Sequence, residues 1–210
     1  MDLENLTDDE KMKCISEFKT RCYWFHRTYR INRTLFEENL EIFGSLGSPK
    51  ALNNALVDYL LLQFHIITDS AKFGKNDKNL SVFFFLEWPW KPEVKEKLKT
   101  LAQKLKEFVD FKRKNNPRHK LLAHWDVATI LSGSGALGAF TFGKEIEFFN
   151  NLNDFIETMS LSFGFQDEWT ILSKTKADEG ALVDIIKAGA TTIPYNGEQT
   201  SAPDAKSRGV

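Results

Sequence analysis

Arg118, His119, Lys120, His124 and Asp126 fall within nine residues of one another, with Trp125 beside the second histidine. No other stretch sets a proton-transfer group so close to phosphate-binding cations. Histidine titrates near neutrality and is the commonest proton carrier at physiological pH. The arginine fork meets a phosphate through two parallel charge-assisted hydrogen bonds. These are the parts that phosphodiester cleavage in RNA requires. One group moves a proton at the 2′-hydroxyl or the leaving oxygen, and one cation sits on the phosphate as charge builds. No metal is needed when the 2′-hydroxyl is the nucleophile. By type, His124 is the candidate general acid/base and Arg118 the candidate phosphate-binding cation. Lys120 lies four residues before His124, on the same helical face, and favours a neutral imidazole. Asp126 is placed to cap or orient.

The spacing of the pair constrains how it acts. Six residues at about 100° each leave Arg118 and His124 about 120° apart around a regular helix. They grip one phosphate from two sides, or two copies of the segment meet at a dimer axis and line one cleft. A plainer reading stays open. Arg118, His119 and Lys120 would then be exposed helix-start residues, and His124 a buried histidine with its hydrogen bonds satisfied.

The segment needs a scaffold, and the pattern upstream is helical. Thr7 and Glu10 form a capping-box signature, followed by Met12, Ile15, Phe18, Cys22, Phe25 and Tyr29 as one apolar stripe. Lys19 falls on another face, and His26 reads as a surface residue. A break at Asn32-Arg33-Thr34 precedes a short helix around 34–43. Ser48 and Pro49 then open a helix over 50–73 that is apolar nearly all round, as befits a bundle centre or a subunit interface. Its His65 and Asp69, four apart, would share a face. Asn79-Leu80-Ser81 opens the apolar segment Val82–Trp88, which Pro89 and Pro92 end. Pro92 starts a helix to about Lys114, with Val94, Leu98, Leu101, Leu105 and Phe108 on one side. Asn116 and Pro117 are a cap and first residue for the next helix. That puts Arg118, His119 and Lys120 at a helix N-terminus, where free N–H groups and the macrodipole attract anions. Another helix covers 144–163, with Phe149, Leu152, Ile156 and Met159 on one face, and a short one covers 178–190. Residues 191–210 lack periodicity and read as a disordered tail. The organisation is one all-α domain of five to seven helices over residues 1–190.

Other constellations are weaker. Gly133–Gly138 matches Gly-x-Gly-x-x-Gly, but no βαβ unit surrounds it, so it reads as a loop and not as a dinucleotide site. His119 and His124 lie on different helix faces, and His65/Asp69 lacks an evident third ligand, so no metal site and no cofactor are expected. Cys14 and Cys22 are too far apart along one helix to bond and read as small buried hydrophobes in a reducing cytoplasm.

The net charge is −1, which excludes polyanion binding by bulk charge. Between Lys91 and Lys120, however, eleven Lys/Arg face four Asp/Glu, a positive field leading into the opening segment. No apolar run is long enough to span a membrane, and the acidic N-terminus is unlike a signal peptide.

Arg118-His119-Lys120-Leu121-Leu122-Ala123-His124 resembles the Arg-polar-x-x-x-x-His motif of HEPN-domain proteins. With Trp125 and Asp126 it is most similar to the abortive-infection kind, as is Thr68-Asp69-Ser70-Ala71-Lys72 followed by Asn79-Leu80-Ser81. The resemblance covers roughly residues 10–165. It implies a HEPN-like helical bundle and homodimerisation through the motif helices. It also implies metal-independent RNA cleavage leaving 2′,3′-cyclic phosphate ends, in phage defence or a toxin–antitoxin system. Arg118 and His124 would be catalytic and His119 their supporting polar residue, with RNA and an antitoxin or activator protein as partners. The alternative is a non-catalytic HEPN-like module that binds RNA, a nucleotide or a protein partner.

Overall fold

A computed structural model describes residues 6–37, 47–73, 77–115 and 143–164, together with 181, 184 and 188. The all-α expectation holds. Five α-helices occur among the described residues: α1 (Asp8–Asn32), α2 (Gly47–Ile67), α3 (Val82–Leu86), α4 (Pro92–Asn115) and α5 (Lys144–Ser162). Extended pairing is confined there to β1 (Lys72–Phe73) against β2 (Asp77–Lys78), an antiparallel bridge with Lys72 opposite Lys78.

α1 starts as its sequence dictates. The Thr7 hydroxyl accepts from the Glu10 amide, and the Glu10 carboxylate accepts from the Thr7 amide at 2.9 Å. Donation from the Thr7 amide, and then from its hydroxyl, holds the Glu10 carboxyl below its ordinary value. Ile15, Phe18, Cys22, Phe25 and Tyr29 are buried as the stripe requires, whereas Met12 is exposed. Two residues assigned to the outer surface are buried instead: Lys19, and His26, whose ring packs on Phe149 at 4.8 Å. Burial drives the Cys22 thiol far above its usual range. Cys14, half-buried, is pushed up by desolvation and then by Glu10.

The break expected after Asn32 is a change of winding. Arg33–Glu37 continues α1 as a π-helix, and Leu35 and Phe36 form a small cluster with Ile31 and Leu56. Residues 38–43, where a short helix was expected, lie outside the described residues.

α2 begins three residues earlier than expected and stops at Ile67, well before Phe73. Polar side chains take over the backbone at that point. The Asp69 carboxylate accepts from the Ser70 amide at 2.8 Å and from the Asn79 side chain at 3.1 Å. The Ser81 hydroxyl donates to the Asp69 carbonyl at 2.8 Å while also capping α3. This clasp ties the end of α2 to the start of α3. Asp69 therefore lies beyond the helix, and the expected shared face with His65 does not exist.

The core is aromatic. Phe148 of α5 lies 4.7 Å from Phe64 of α2, 5.0 Å from Phe108 of α4 and 6.3 Å from Phe25 of α1. α4 and α5 run antiparallel. Trp90, just before α4, meets Phe163, just after α5, at 5.1 Å, while Phe111 and Lys144 meet at the opposite end. Ala181, Asp184 and Ala188 are helical, in the expected place. Residues 191–210, where a disordered tail is expected, Gly133–Gly138, where a loop is expected, and the expected cap Asn116 lie outside the described residues. Phe148→Ala is expected to remove about 3–5 kcal/mol of stability, measured by urea unfolding.

Candidate functional site

Arg118, His119, Lys120, His124 and Asp126 lie outside the described residues. What is described is the pair of helix ends from which their segment departs and to which it returns. α4 ends at Asn115, and α5 starts at Lys144 after Gly143, which takes a positive φ of 96°. Gly143 makes this entry without the strain another side chain would meet. The two ends lie side by side: the Lys144 ammonium sits 4.0 Å from the centre of the Phe111 ring. One turn inward, Phe108 packs on Phe148. The segment 116–142 is thus anchored at one end of the bundle, opposite the Trp90–Phe163 contact.

Charge is uneven at this end. Over residues 91–110, six Lys/Arg alternate with four Asp/Glu. Over 111–120 there are five Lys/Arg and no acid. The positive excess is therefore concentrated where α4 runs out, in its last turn and the residues that follow. Cations at a helix C-terminus also offset the macrodipole's negative end. Upstream, Lys106 pairs with Asp110 at 3.3 Å, and the outer face of α4 is a mixture of both signs. Lys91, Lys95, Lys97, Lys99 and Lys104 are exposed, so this part of the stretch is a solvated helix face.

Between α4 and α5 lies a groove of about 440 Å³, lined by Lys104, Glu107, Phe108, Phe111, Lys144, Glu147, Phe148 and Asn151. Its two lysines are balanced by two glutamates, and Gln103 donates to Glu107 at 3.0 Å. A balanced groove has no net pull on a phosphate. The chemistry proposed below does not use it.

Glu145 was not singled out by sequence reasoning. It is fully buried in the first turn of α5. The signal was available, since Glu145, Phe149, Leu152, Ile156 and Met159 stand at steps of 4, 3, 4 and 3. A carboxylate thus occupies the apolar stripe. The macrodipole favours a negative charge there, and a buried carboxylate persists only where it is held by hydrogen bonds or a cation. Glu145 follows Lys144 at the start of α5, at the end of the bundle where α4 finishes. His65 and Asp69 do not converge, and among the described residues no three His, Cys, Asp or Glu side chains form a group that could hold a metal ion. No described helix is long and apolar enough to cross a membrane.

Glu145→Ala is expected to cost about 3 kcal/mol in urea unfolding, the scale of disrupting a buried charged network. An exposed Glu147→Ala control should stay within about 0.5 kcal/mol of wild type.

No protein-family model matches the chain, and neither the curated proteins nor the solved structures contain a match to it.

Proposed function

We propose that the protein is a metal-independent endoribonuclease of HEPN type that acts as a homodimer. His124 moves the proton at the 2′-hydroxyl or the leaving oxygen. Arg118 neutralises the phosphate as it becomes phosphorane-like. The bond from phosphorus to the 5′-oxygen breaks as the 2′-oxygen attacks, so one product ends in a 2′,3′-cyclic phosphate and the other in a 5′-hydroxyl. His119 supports the pair as its polar neighbour, Lys120 adds positive charge beside it, and Asp126 orients it. The divergence of Arg118 and His124 on a helix favours a cleft to which both copies contribute. A cytoplasmic role in phage defence or a toxin–antitoxin system, with an antitoxin or activator as regulator, belongs to the same proposal.

The observation that supports this reading best is the charge distribution at the end of α4. Lys112, Arg113 and Lys114, with no acid over residues 111–120, lead directly into Arg118–His124, from an end of the bundle fixed by the Phe108–Phe148 and Phe111–Lys144 contacts. A field of that sign raises the local concentration of a polyanion despite the neutral balance of the whole chain.

Arg118→Ala and His124→Ala are each expected to lower the RNA cleavage rate by about 10²–10⁴-fold with unchanged far-ultraviolet circular dichroism. RNA bound by wild type but left intact, with and without a regulator, would instead mark a non-catalytic binding module.

A further inference from the structure

α2 carries two apolar faces, and the bundle uses one of them. Leu60, Leu61, Phe64 and Ile67 are buried. Between Leu52 and Ile66 the exposed residues are Leu52, Ala55, Tyr59, Leu62 and Ile66, and no others. Their steps of 3, 4, 3 and 4 are the alternating a and d positions of a coiled-coil heptad. All five side chains are apolar or aromatic. Leu52 is 51% exposed, Tyr59 39%, Leu62 56% and Ile66 39%. A helix that only closes a bundle needs one apolar stripe, with polar residues opposite. Here the opposite side is a second seam, and contiguous exposed apolar surface of this kind marks an interaction site.

We infer that this seam pairs with the same seam of a second copy, antiparallel about a two-fold axis. The flanks of the stripe argue for that occupant and that direction. Asp58 and His65, seven residues apart, border the seam on one side; Leu56 and Gln63 border it on the other. In an antiparallel pair, equivalent flanks face each other, so Asp58 of one copy stands across from His65 of the other, and the symmetry repeats the pairing. A parallel pair would set Asp58 against Gln63. The surface is thus complementary to itself under a two-fold rotation, the condition for an isologous dimer. Leu52 to Ile66 spans about 21 Å, roughly two heptads. That is near the low end of stable interfaces, so dimerisation belongs in the micromolar range. The inference does not rest on the ribonuclease reading. It names α2 as a joining surface, and the shared cleft of the proposed function then requires the two motif segments to meet about the same two-fold axis.

The test is the mass of the full chain by sedimentation at about 50 μM. Wild type sediments as a dimer, and Leu62→Glu as a monomer with unchanged helical circular dichroism. Direction is read separately by oxidative crosslinking against a wild-type control. A mixture of Ala55→Cys and Ile66→Cys chains gives disulfide-linked dimers above that control, and neither variant alone does. The cysteine arm keeps the inference open to test if Leu62→Glu fails to fold. A monomeric wild type, a dimer that survives Leu62→Glu, or efficient self-crosslinking of Ala55→Cys would each overturn it. RNA cleavage is not read in either arm: a monomeric wild type would remove the shared cleft as well, whereas a dimer that survives Leu62→Glu overturns the α2 surface and leaves the cleavage chemistry untouched.

Discussion

The structure depends on one aromatic junction. Phe148 sits among Phe25, Phe64 and Phe108, one ring from each of the other long helices. Edge-to-face and tilted contacts at 4.7–6.3 Å restrict how these rings can meet, so they fix the relative positions of α1, α2, α4 and α5 as well as excluding water. The consequence for function is positional. α4 and α5 are held antiparallel, with Asn115 and Lys144 at the same end. Any residues strung between them start and finish there.

The remainder of the fold reinforces that placement. At the far end, Trp88, Trp90 and Phe163 pack together, and the Asp69–Asn79–Ser81 clasp joins α2 to α3. The Asp69 and Asn79-Leu80-Ser81 segments, which figure in the resemblance to HEPN proteins, have a structural use here: they terminate α2 and start α3. At the near end Glu145 is buried in the first turn of α5, and in the sequence residues 111–120 hold five cations and no acid. Stability is thus invested in both ends of the α4–α5 pair.

Much of this was legible in the sequence because local rules and burial agreed. The Thr7–Glu10 box, the Pro92 start and the stripes through α1, α4 and α5 all appear where periodicity and capping put them. The misreadings have physical causes. α2 was extended to Phe73 because its apolar run hid the competition from Asp69 and Ser70 for backbone hydrogen bonds. His26 and Lys19 are polar by type, yet both border the apolar arc of α1, and burial follows the arc. Helix periodicity alone did not separate the two faces of α2, since a buried stripe and an exposed heptad seam look alike until the neighbours are known. The candidate site was legible only as chemistry. Residue types and spacing name Arg118 and His124, and local pattern alone carries no information on which distant residues meet a segment between two helices.

The central claim is that RNA is cut by attack of its own 2′-hydroxyl. The most direct measurement compares an all-ribo oligonucleotide with the same oligonucleotide carrying 2′-deoxy sugars at the cleaved positions, in chelator, with end groups read by mass spectrometry. The account predicts cleavage of the ribo strand alone, leaving 2′,3′-cyclic phosphate and 5′-hydroxyl ends. Cleavage of both strands, or a strict requirement for a divalent cation, would contradict it.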